Sequence, residues 1–61
     1  MKLSIREKEI LDLLIKRKIN KEIASTFFIS EETVKKHLKN VYRKLGVRNR
    51  IEATLKLYKF R

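Results

Sequence analysis

The sequence predicts an all-α domain of four short helices, on three observations. Proline is absent and glycine occurs once, at position 46, so little in the 61 residues interrupts a helix. Apolar residues recur at three- and four-residue spacing, the period of a helix with one buried side. Polar residues suited to helix starts stand at Ser4, Asn20, Ser30 and Asn49. They divide the chain into helices at about 4–16, 21–27, 31–45 and 50–59. No linker, internal repeat or low-complexity segment is visible, so residues 1–61 read as one domain. A chain this short buries only about 60% of the surface it exposes when unfolded, so its stability is modest.

The first helix opens on Ser4-Ile5-Arg6-Glu7, a capping box in which serine and glutamate each satisfy a free backbone N–H. Leu3 stands just before it, placed to pack against the helix start. Ile10, Leu13 and Leu14 form the apolar stripe, widened by Leu11 and Ile15. The stripe fails at Lys16-Arg17-Lys18, where cations complement the negative end of the helix dipole. Asn20 is the expected cap of the second helix, whose inward residues are Ile23, Ala24 and Phe27. Alanine at position 24 suits a close helix crossing. Phe28 and Ile29 then lead through a turn to Ser30, with Glu31 and Glu32 in the first turn of the third helix.

The third helix is the most informative. At about 100° per residue, Val34, Leu38, Val41 and Leu45 form a seam roughly 60° wide. Lys35, Lys36, Lys39 and Arg43 fall within about 100° of one another on the other side. His37 and Lys44 flank the seam. Gly46 closes the helix in the left-handed conformation. Asn49 and Glu52 then repeat the capping pattern in weaker form. The fourth helix is apolar on more than one side, through Ile51, Ala53, Thr54, Leu55, Leu57 and Tyr58. One side completes the core, and the remainder suggests a partner surface.

Lysine and arginine number 17 against 7 aspartate and glutamate, a net charge of +10. That excess points to a polyanion, either nucleic acid or an anionic membrane surface, although a merely solvated surface is the plainer reading. The distribution favours a partner, because no acidic residue occurs from Thr33 to Ile51. No apolar stretch approaches the roughly 20 residues that cross a bilayer, and no signal peptide is visible. A membrane-surface peptide calls for one continuous amphipathic helix, which Gly46 and the repeated caps divide. With no cysteine and one histidine, neither disulfide nor metal cluster is expected. No paired carboxylates, glycine-rich phosphate loop or nucleophile set argues for an enzyme, and no cofactor or small-molecule ligand is expected.

A short helix, a tight turn and a longer basic helix make the helix-turn-helix arrangement. Its second helix must present donors to the major groove while its other face packs on the domain. Four strings then carry a resemblance: L-S-x-R-E-x-E-I-L (Leu3 to Leu11), N-K-E-I-A (Asn20 to Ala24), I-S-x-x-T-V-K-x-H (Ile29 to His37) and K-L-G-V-x-x-R (Lys44 to Arg50). In this order and spacing the chain, from Leu3 to about Leu57, resembles the LuxR/GerE-type DNA-binding domain. The resemblance implies a four-helix fold, control of transcription in bacteria, a cytoplasmic, nucleoid-associated location and homodimers formed through the fourth helix. It implies double-stranded DNA as partner, at an inverted-repeat site. By position it implies base reading by Lys35, Lys36 and Lys39, and phosphate contacts from Asn20, Lys21, Ser30, Thr33, His37 and Lys44. Arg43 joins the phosphate set from its place on the basic face, and His37 is as readily a packed structural residue. Ile51, Thr54, Leu55 and Tyr58 are the expected dimer surface. A family with a preceding receiver or ligand-binding domain makes the chain either a stand-alone member or a fragment.

Three departures from the family pattern stand out. Arg17 takes the place of a glycine that closes the first helix, which costs on the order of 1 kcal/mol if the left-handed turn is kept. Ile5 replaces a proline, losing a preset first turn. Glu32 lies on the basic face, where it accepts from a cytosine N4, repels phosphate, or simply favours the helix start. Region 4 of a sigma factor shares the R-E-x-E start and the E-I-A and S-x-x-T-V strings, but the K-L-G-V-x-x-R turn favours the first resemblance. A helix-turn-helix used for protein–protein interaction is the other alternative, against which the acid-free third helix argues.

Overall fold

Ser4 begins the first helix as a reciprocal cap: its hydroxyl accepts from the Glu7 N–H at 3.1 Å, and the Glu7 carboxylate accepts from the Ser4 N–H at 2.8 Å. The computed structural model describes the backbone of residues 3–59 and the side chains of residues 3–57. Within them lie α1 (Ile5–Ile15), α2 (Asn20–Phe27), α3 (Glu31–Leu45) and α4 (Arg50–Lys59), and no strand. The architecture is all-α, as the sequence predicts. The caps differ in detail at two starts. Asn20 is the first residue of α2 instead of its cap; Ile19 holds the cap position, and the Glu22 carboxylate accepts its N–H at 3.0 Å. At α4 the Asn49 side chain accepts from the Glu52 N–H, but the Glu52 carboxylate reaches Arg48 N–H, one residue further back than a capping box requires.

The first three helices end alike. In each, a residue with positive φ turns the chain, and the next N–H bonds back to a carbonyl five residues earlier: Lys18 to Leu13, Ile29 to Ala24 and Val47 to Tyr42. Only one of the three turning residues is glycine, Gly46 at φ 73°; the others are Arg17 at 65° and Phe28 at 56°. Arg17 therefore keeps the left-handed turn despite its side chain. A Cβ on Gly46 would meet only the Lys56 ammonium, at 3.8 Å, so conformation and not space favours glycine there.

Both α1 and α2 pack on α3, and α4 closes against α1 and α3. The core is small: Ile10, Leu11 and Leu14 of α1, Ile23 and Ala24 of α2, Val34, Leu38 and Val41 of α3, and Ala53 of α4. Leu11 is buried and Leu13 only half-buried, so the α1 stripe sits one position away from its expected centre. Leu3 packs against this core as the staple position requires, and Leu45 is half-buried at the end of the α3 seam.

Polar contacts hold the helices in register. Glu7 is buried, and its Oε1 accepts from the Lys44 ammonium at 2.7 Å as well as from Ser4. The start of α1 is thereby tied to the last turn of α3. Lys44 keeps 38% of its side chain exposed while Glu7 keeps 7%, so removing the lysine leaves a buried carboxylate with one partner fewer, the costlier loss of the two. The Arg50 guanidinium donates to the Lys18 carbonyl, joining α4 to the loop after α1. The Lys56 ammonium donates to the Leu45 carbonyl and satisfies the end of α3. Arg6 stacks over the Phe27 ring, 4.4 Å from its centroid, between α1 and α2.

Candidate nucleic-acid interface

The α3 seam dictates where its polar residues point. With Val34 and Val41 wholly buried and Leu38 nearly so, Lys35, Lys36, Lys39 and Arg43 are turned outward, and all four are exposed. Among the described residues none of them makes an ion pair; the pairs present are Asp12–Lys16 and Glu7–Lys44. Four unpaired cations on one helix face are free to meet an anion without first giving up a partner.

The surrounding elements supply further groups. Asn20, at the start of α2, lines a surface depression of about 330 Å³ together with Lys35, Leu38, Lys39, Tyr42 and Arg50. The Asn20 Oδ1 is buried without a hydrogen-bond partner. Burial raises the Tyr42 hydroxyl above its ordinary pKa of 10.0 against the opposing charge of Arg50, so it stays a neutral donor at the edge of this surface. Lys21 lies apart, exposed beside Lys18, Glu22, Ser25 and Thr26. Ser30 and Thr33 are brought together at the turn before α3, their hydroxyl oxygens 2.9 Å apart, and the Ser30 hydroxyl caps the Thr33 N–H at 3.1 Å. His37 is half-buried, seven residues before Lys44 and so on the same flank of α3.

Lys44 shares that flank, and the structure gives it a partner that the sequence did not reveal. Its ammonium bonds the buried Glu7 carboxylate, which this bond, with that of the Ser4 N–H, holds below its ordinary 4.5. The signal was present, since Glu7 precedes Ile10 and Leu11 by three and four residues and so continues the buried stripe of α1. Arg50 and Lys56, which brace α3 and the loop before α2, had no such signal.

On α4, Ile51 and Leu55 are 71% and 58% exposed, although Ala53 between them is fully buried. With Leu14, Arg17, Ile19, Arg50 and a half-buried Thr54 they line a mainly apolar groove of about 390 Å³. Thr54 directs its hydroxyl to the Arg50 carbonyl at 3.0 Å. The Tyr58 side chain lies outside the described residues. None of the described helices is long and apolar enough to cross a membrane.

This geometry is that of a helix-turn-helix whose longer helix turns a basic face outward, and comparison with known proteins identifies its lineage. The family model for bacterial regulatory proteins of the luxR family matches residues 1–57. The chain belongs to the luxR family. It is 49% identical over 55 residues to the spore germination protein GerE of Bacillus subtilis (strain 168), an alignment covering 90% of this chain and 74% of that protein. Against the CsgBAC operon transcriptional regulatory protein of Escherichia coli (strain K12) it is 53% identical over 51 residues, covering 84% of this chain and 24% of the relative. The nitrate/nitrite response regulator protein NarP of the same organism is 49% identical over 53 residues, covering 87% and 25%. The response regulator ChrA of a heme-sensing two-component system superposes with a TM-score of 0.88 at 46% identity, over 97% of this chain and 29% of that one. The chain thus spans three quarters of GerE and about a quarter of the longer luxR regulators. Its family is one of transcription regulators, and DNA binding through the helix-turn-helix is the coarse function shared with it.

Proposed function

We propose that this luxR-family domain binds double-stranded DNA sequence-specifically as a homodimer, with α3 in the major groove. The observation that carries this is the row of unpaired cations on α3, on the side away from the buried Val34, Leu38 and Val41. A helix with its side chains is about 10–12 Å across, the width of the B-DNA major groove. Lys35, Lys36 and Lys39 donate to guanine O6 and N7, while Asn20, Lys21, Ser30, Thr33, His37 and Arg43 hold phosphates and set the register. Lys44 reaches a phosphate only with the ammonium hydrogens that Glu7 leaves free.

One such helix reads a half-site, so the proposal includes a second copy. Ile51 and Leu55 lie one turn apart on α4 and continue across the groove to Ile19, three exposed apolar residues on one surface. Two copies related by a two-fold axis bury it isologously and match an inverted-repeat site in the bacterial cytoplasm. Sedimentation with and without a duplex tests this. The wild type is expected to bind as two copies per site, whereas an Ile51→Glu, Leu55→Glu double variant binds as one and loses at least tenfold in affinity. Equal stoichiometry for both removes the dimer from the proposal.

A further inference from the structure

The basic face of α3 has a carboxylate in its middle. Lys35, Lys36, Lys39 and Arg43 follow Glu32 by three, four, seven and eleven positions. At about 100° per residue all four lie within roughly 60° of it. Glu32 is exposed. A glutamate three or four residues before a lysine commonly pairs with it. Among the described residues, however, Glu32 makes neither an ion pair nor a side-chain hydrogen bond. It shares the helix start with other groups: the Ser30 hydroxyl caps the Thr33 N–H, and Glu31 stands beside Glu32 as a second carboxylate in the first turn.

In a row that only held phosphates, this carboxylate would oppose binding. In a row that reads bases it has a use that lysine lacks. Guanine presents O6 and N7 acceptors in the major groove and thymine presents O4, both of which a carboxylate repels. Cytosine presents the N4 amino group, which a carboxylate accepts from, and adenine presents a donor beside an acceptor. Glu32 is the second residue of α3, and in helix-turn-helix domains the first turns of the recognition helix approach the base edges.

We infer that Glu32 is a specificity-determining residue that accepts from cytosine N4 in the major groove. The inference rests on the DNA-reading role proposed for α3. Side chains three or four residues apart on a helix are about 5–6 Å apart. Base steps are about 3.4 Å apart along a strand. The cytosine therefore lies one to two steps from the guanine contacted by Lys35 or Lys36.

Selection of bound duplexes from a random pool, followed by competition binding on single-base variants, tests this with the full 61-residue chain. Wild type, Glu32→Gln and Glu32→Ala are compared, with helix content checked by circular dichroism. The expected result is a cytosine preference of about tenfold or more at one position per half-site in the wild type. Glu32→Ala abolishes that preference while leaving those at neighbouring positions in place, and Glu32→Gln shifts it towards adenine, whose N6 and N7 suit an amide. If Glu32→Ala instead tightens binding to every duplex by one common factor, the residue is only a repelling charge and the inference is overturned. If the wild type ranks no duplex above another, sequence reading by α3 fails and takes the inference with it.

Discussion

Arg17 and Phe28 occupy left-handed turns that glycine fills without strain, and Phe28 does so with 94% of its surface exposed. Neither turn is optional, because each provides the N–H groups that close α1 and α2. A β-carbon in this conformation costs roughly 1–2 kcal/mol, part of which the flexibility of glycine in the unfolded chain offsets. Arg17→Gly is expected to stabilise the domain by about 1 kcal/mol in denaturant titration at low protein concentration. A loss of stability would show that the Arg17 side chain contributes more than its turn costs. Glu7 calls for a different experiment. Its folded pKa is held below its ordinary 4.5 by Lys44 and the Ser4 N–H. Its contribution is therefore complete above about pH 4.5 and lost as pH falls through the lower folded value. Glu7→Gln is expected to be less stable than wild type near neutral pH, with the gap narrowing as the pH falls below 4.5. A gap that stays constant between those conditions would mean that the carboxylate charge is not what the site uses.

Within α3, one face is consumed by the core and the other is proposed to meet DNA, so substitutions should sort by face. Lys39→Ala is expected to flatten base preference at one position by roughly 1–3 kcal/mol, read by competition among single-base variants. Lys21→Ala, outside the groove-facing row, is expected to weaken all duplexes alike and reduce the salt slope by about one. If both variants behave alike, the division between reading and holding residues is wrong. The seam and the basic row were legible because helical periodicity separates them on a wheel. Helix starts were legible to within a residue, but Asn20 shows the limit: its type suits a cap, and Glu22 bonding the Ile19 N–H moved the start back by one. Contacts between helices were not legible. Lys44 reads as an exposed cation until the packing of α1 on α3 brings Glu7 beneath it, 37 residues away in sequence. Arg50 and Lys56 likewise acquire their carbonyl partners only from tertiary placement.

On the scale of the whole molecule, a small core leaves little stability to spare; Glu7 and Lys56 tie α3 to α1 and α4, and Arg50 ties α4 to the loop after α1. Two of these three ties fix α3, the helix proposed to read DNA. In the proposed dimer the exposed Ile51 and Leu55 face a second copy, which doubles the contacts and fixes the spacing of two half-sites. The central claim is that the basic row of α3 enters the major groove. Dimethyl sulfate probing of a selected duplex tests it most directly, because the reagent methylates guanine N7, which lies in that groove. Wild type is expected to protect at least one guanine per half-site, and Lys39→Ala to restore its reactivity while the complex still forms. Guanines that remain fully reactive in the wild-type complex, or protection unchanged by removing Lys35, Lys36 and Lys39 in turn, would contradict it.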